Sequence, residues 1–141
     1  MTILPADQGA SMTTTSAPLI TGVDFVAIPA RDFDASLHFY ATVLGLAPVK
    51  RWGDMPAAEF QAGNVTLAIM EPTAFGQEFR PHSLPIALQV QDVAAARVRL
   101  EAQGVRFVSD LIDSGSCHQA IFLDPAGNAL DLHHRYAPSA G

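Results

Sequence analysis

The feature that most limits how this chain can fold is an internal repeat. Ile28 to Asp32 matches Leu88 to Asp92 at an offset of 60 residues, and Leu67-Ala68-Ile69 matches Leu130-Asp131-Leu132 at an offset of 63. Around these anchors each half carries the same order of signals: a short apolar run, an acidic helix cap, a helix stopped by glycine, then three further strand-like runs. The chain must therefore hold two copies of one βαβββ unit, an α+β arrangement.

In the first unit "GVDFVAIP" (22–29) predicts a strand, and Asp32 is placed to cap the next helix. Phe33, Leu37, Tyr40 and Leu44 form one apolar helical stripe, which Gly45 stops. "LAPVKRW", "AAEFQAG" and "VTLAIME" supply three strands, with Gly63-Asn64 turning between the last two. The second unit follows suit. "LPIALQV" (84–90) is a strand, Asp92 a cap, and "VAAARVRLEAQ" a helix ended by Gly104. "VRFVSD", "HQAIFLD" and "ALDLHHR" complete it, with Pro125 to Asn128 as a turn. These turns lack the multi-glycine spacing of a phosphate loop. Module one thus spans 22–72, a linker 73–83 and module two 84–136, all within a single domain over 19–141.

Composition excludes several classes. Fourteen acidic residues against eight Lys plus Arg give a formal charge of −6, and no basic stripe offers a nucleic-acid surface. No apolar run approaches the roughly 20 residues of a membrane-spanning helix. A lone Cys117 excludes an intramolecular disulfide framework and fits a cytoplasmic setting. The first 18 residues are rich in Thr, Ser, Ala and Pro, lack the pattern of a signal peptide, and are expected to be a flexible tail.

Alternation assigns the strand faces. Val26 and Ile28, Ile86, Leu88 and Val90, Leu67 and Ile69, Leu130 and Leu132 fall on the helix side. Phe25, Ala27, Thr66, Ala68 and Met70 take the other face in module one, and Pro85, Ala87, Gln89, Ala129, Asp131 and His133 take it in module two. A core on one side and a cleft on the other is expected.

"FVAIPARDFDASLHFYATVLGL", "IALQVQDVAAARVRLEAQGV" and "FLDPAGNALDLH", in this order, resemble the vicinal oxygen chelate superfamily of glyoxalases, extradiol dioxygenases and bleomycin-resistance-type binding proteins. The resemblance covers about residues 22–136. It implies two modules whose strands form a curled mixed sheet around a cavity, and a homodimer. Many enzymes of the group hold a divalent metal there. The positions matching its ligands are Phe25, Ala68, Pro85 and Asp131. Three of these cannot donate to a metal, and one carboxylate does not make a site of three or four ligands. A metal-free pocket without cofactor is the expectation.

The candidate catalytic residues are His133, Asp131 and His118: an Asp–His pair suits general acid–base work, the same three compose an alternative metal set, and the plainer role is a polar cavity wall. The candidate ligand contacts are Phe25, Trp52, Met70, Glu78, His82 and Gln89. Glu78, Arg80 and His82 form either a closing segment or a solvated loop pinned by Phe75 and Phe79. His134 is expected at a surface or interface. Cys117 and His118 are strand neighbours facing opposite ways, which argues against a nucleophile pair. The function expected is binding of a small organic molecule in a central cavity. The alternative is a lyase, isomerase or dioxygenase-like enzyme using His/Asp chemistry or a rearranged metal site.

Overall fold

The computed structural model describes residues 16–138. Most of the expected tail therefore lies outside the described residues. Module one comprises β1 (Val26–Pro29), α1 (Phe33–His38), β2 (Ala47–Arg51), β3 (Ala57–Ala62) and β4 (Val65–Met70). Module two comprises β5 (Ile86–Gln89), α2 (Val93–Glu101), β6 (Arg106–Phe107), β7 (Ile112–Asp113), β8 (Cys117–Leu123) and β9 (Ala129–Arg135). The first sheet has the order β1-β4-β3-β2, the second β5-β9-β8-β6, with the short β7 also paired to β8. In each sheet the first strand runs parallel to the last, which forces the helix to cross over one face between them. These are the two expected βαβββ modules, forming two sheets that do not close into one barrel.

Local chemistry explains the helices. The Asp32 carboxylate accepts from Ala35 N at 3.2 Å and the Asp92 carboxylate from Ala95 N at 3.0 Å, so each helix start has its side-chain cap. A Glu71 oxygen from the end of β4 also accepts from Phe33 N at 2.7 Å. The continuous helix expected over 33–44 gives way at Phe39 to one wide π-helical turn, Phe39–Val43. The widening has a use. It turns two consecutive aromatic residues inward, Phe39 to within 6.4 Å of the Phe122 ring and Tyr40 onto Asp124, both in the other module. Gly45 then leaves the helix at a φ of 71°, in the left-handed region that glycine tolerates best.

One core serves both sheets. Ile28, Phe60, Leu67 and Ile69 of module one join Phe122, Leu130 and Leu132 of module two in a single buried cluster. Each such side chain contributes about 1.5–3 kcal/mol of transfer free energy when fully buried. These are the helix-side residues of both sheets. The two modules therefore share their helix-covered sides, and their helix-free faces point away from each other. Only the second half of the strand expected over 22–29 is paired, and Phe25 is left 46% exposed.

Candidate functional site

The helix-free face of module two is written in rows by the register. Gln89, His133 and Gln119 lie side by side across β5, β9 and β8, and Ala87, Asp131 and Ile121 form the next row. Asp131 and His133 thus share a face, as alternation requires. Gln119 was not foreseen, although its period-two spacing from Ile121 carried the signal. In module one the corresponding rows are Ala27, Ala68, Glu59 and Lys50, then Thr66 beside Gln61. Thr66 Oγ1 donates to Gln61 Oε1 at 3.1 Å. Trp52 follows β2 on this side, with the Lys50 ammonium 5.6 Å from its ring centroid.

Two groups on these faces have no fold-internal explanation. Asp131 is 2% exposed and its Oδ1 has no hydrogen-bond partner among the described residues; Trp52 Nε1 is likewise buried and unpaired. A third such atom, Ser36 Oγ, belongs to α1 on the helix side. Burial raises the Asp131 pKa above the usual carboxylate value, while the neighbouring His133 and the Ala120 backbone N–H work against that rise. An unpaired buried carboxyl oxygen costs about 1–3 kcal/mol, so a fold retains one where something else is to fill it.

Other expected residues go elsewhere. His118 pairs with His134 in the register and so lies on the opposite face from Asp131 and His133; the three do not converge. The reason is alternation itself: His118 is in phase with Ala120 and Phe122, which belong to the core. His118 instead stacks on Tyr136 at 4.6 Å and lies 3.5 Å from Asp113, whose Oδ1 accepts from the Tyr136 hydroxyl at 2.7 Å. That hydrogen bond, first among the causes, lowers the Asp113 pKa and raises that of Tyr136. Half-buried His134 places Nδ1 3.1 Å from the Val90 carbonyl. Glu78 and Arg80 form an exposed pair at 2.9 Å with each other. His82 acts through its backbone, its N–H donating to Asn128 Oδ1 at 2.8 Å and its carbonyl accepting from Ala129 N. Phe79 lies beneath the Arg31 guanidinium. The segment 78–82 is thus anchored through His82 to the β8–β9 turn.

The turn read simply as Pro125 to Asn128 holds a polar knot. Asp124 Oδ1 accepts from Ala126 N and Asn128 N, while Oδ2 accepts from Tyr40 Oη at 2.7 Å and Asn128 Nδ2 at 2.8 Å. Asn128 Nδ2 also donates to the Pro29 carbonyl at 2.7 Å. Burial, aided by Asp124, pushes the Tyr40 hydroxyl far above its ordinary pKa. The knot ties β1, the π-helical turn after α1 and the linker to module two.

A cavity of about 620 Å³ lies on the helix side, between Val26 and Leu44 of module one and Leu88, Leu100 and Leu132 of module two. Of the expected site residues only Gln89 borders it, with its side chain on the other face beside His133; Phe25, Trp52, Met70, Glu78, His82, Asp131 and His133 do not line it. Among the described residues the two helix-free faces point away from each other and do not enclose the expected central cavity between them.

The metal that the fold implies does not fit the donors. Phe25 precedes β1, Ala68 sits in mid-β4 and Pro85 precedes β5, so only Asp131 offers a ligand atom. No group of three or more His, Cys, Asp and Glu among the described residues is arranged to hold an ion.

Comparison with known proteins agrees with the architecture. A chain called Glyoxylase I 4 from Arabidopsis thaliana is 25% identical over 125 residues, covering 80% of this chain and 70% of its own. The antibiotic binding protein TnmS3 from Streptomyces sp. CB03234 superposes with a TM-score of 0.69 at 24% identity, covering 84% of this chain and 99% of that one. Lactoylglutathione lyase from Agrobacterium tumefaciens gives a TM-score of 0.65 at 22% identity, with 82% and 95% covered. At these identities the structural likenesses establish the fold alone, and the fold carries both binders and enzymes. Residues 22–132 match the family model, and the chain belongs to the Glyoxalase/Bleomycin resistance protein/Dioxygenase superfamily.

Proposed function

We propose that this protein is a cytoplasmic homodimer that binds a small, partly apolar organic molecule against its helix-free sheet faces, without metal. The observation that carries the proposal is Asp131: a buried carboxyl with an unpartnered oxygen, set in a row-by-row array with His133, Gln89 and Gln119. A ligand donor would satisfy it. A second copy supplies what one chain lacks. Among the described residues β1 and β5 each pair on one side only, and Phe25 is left exposed beside the first of them. Covering these edges and faces with another chain removes a liability and encloses a chamber. TnmS3, which shares the fold, is an antibiotic binding protein, and this supports binding as a sufficient role for such a chamber. The single buried Cys117 accords with a reducing compartment.

Trp52 is the only tryptophan and lies on the proposed surface, so its fluorescence reports occupancy directly. Titration with a panel of hydroxylated and amino-substituted aromatic compounds is expected to give saturable quenching. Asp131→Asn and His133→Ala should each weaken it about tenfold, as loss of a hydrogen bond to a charged group does. Quenching indifferent to both substitutions, or absent across the panel, contradicts the proposal.

A second reading, catalysis, is favoured by the raised pKa of Asp131 beside His133, which suits a general acid–base pair. Its signature is a bound compound that disappears with time, with Asp131→Asn lowering the rate while quenching persists.

A further inference from the structure

The 620 Å³ cavity lies on the opposite side of the sheet from Asp131: Leu132 lines it, while Asp131, its neighbour in β9, faces the other way. Its origin can be traced to α2. Val93 and Leu100 are buried at the two ends of the stripe that α2 turns toward the sheet, but between them stands Ala96, too short to fill the space beneath it. Leu44 and Leu46, where module one leaves its helix, form the facing wall. The volume falls within the roughly 300–1,000 Å³ typical of ligand pockets.

The polar groups of this cavity are few. Among the described residues Arg99 is the only charged residue lining it; Asn64 adds an amide, and Gln89, whose side chain lies on the opposite face with His133, borders it only as a residue of β5. No carboxylate among the described residues lines the wall. Arg99 has neither an ion pair nor a side-chain hydrogen bond among the described residues. Its neighbour Arg97, by contrast, is held by Glu101 at 3.3 Å and the Ser109 carbonyl at 2.7 Å. A free guanidinium at the edge of an apolar chamber selects an anion with a hydrocarbon body, and its fork matches a carboxylate.

We propose that this inter-module cavity is a second binding site, for a monocarboxylate with an apolar body the size of a medium-chain acyl group. The hydrocarbon lies against Leu44, Leu88, Leu100 and Leu132, and the carboxylate pairs with Arg99.

The test is calorimetric titration of the full chain with dodecanoate below its micellar concentration, against dodecyltrimethylammonium as the cation of equal chain length. The expected result is saturable binding of one dodecanoate per chain, with the cation binding at least tenfold more weakly. Arg99→Gln, a change at an exposed position, should weaken dodecanoate about tenfold with an unchanged thermal melt. Ala96→Phe, which fills the chamber, should abolish binding; if that variant does not fold, Arg99→Gln decides alone. No saturable uptake of dodecanoate, equal affinity for the cation, or indifference to Arg99→Gln would each overturn the proposal.

Discussion

Two polar clusters sit on the same β8–β9 hairpin and are built in opposite ways. At its turn, Asp124 and Asn128 are buried and every side-chain polar atom of the pair has a partner, from Tyr40, Pro29, His82 or the turn itself. Three residues further on, Asp131 is buried equally well, yet its Oδ1 has none. A satisfied network of this kind holds a structure in one geometry; a half-satisfied one is retained where a partner is to arrive from outside. The first cluster is the joint between the modules, and the second is where the proposed site lies.

The contrast can be broken by substitution. Asn128→Ala removes two donors and an acceptor from a fully buried position. It should cost about 3–4 kcal/mol, measured by denaturant unfolding. A loss below about 1 kcal/mol would mean that the joint is not structural. Tyr40→Phe deletes one hydroxyl from the same knot and should cost about 1–3 kcal/mol. Asp131→Asn should act in the other direction. Because burial raises the folded-state pKa of Asp131, the ionised carboxyl opposes folding once the pH has risen through that value, and the penalty is absent below the unfolded pKa. The asparagine variant should therefore gain about 1 kcal/mol at pH 7, a gain that shrinks as the pH falls toward about 4. Destabilisation at pH 7 would show that the carboxylate is already satisfied by the fold.

What could be foreseen from sequence follows the same division. Asp32 and Asp92 announce their helices because a cap is a local contact, and the rows of the sheets follow from alternation along each strand. The π-helical turn at Phe39 and Tyr40 was not legible, since its reason lies in Phe122 and Asp124 more than eighty residues away. Asp124 and Asn128 have the composition of any turn; their partners on Pro29 and Tyr40 exist only once the modules meet. His118 was misplaced for a different reason. Its phase with Ala120 fixed its face, but that phase had to be carried across the hairpin to Leu132. The separation of the two helix-free faces depends on which sides the modules share, and two apolar faces of similar make-up do not announce that choice.

Sedimentation equilibrium tests the central claim most directly. The account predicts that the wild-type chain sediments at twice its 15.0 kDa mass. Ala87→Arg, which sets a charge beside Asp131 on the helix-free face, should sediment at the mass of one chain with its circular dichroism unchanged. A wild-type protein that remains a monomer across the micromolar range, or a dimer that Ala87→Arg leaves intact, would contradict it.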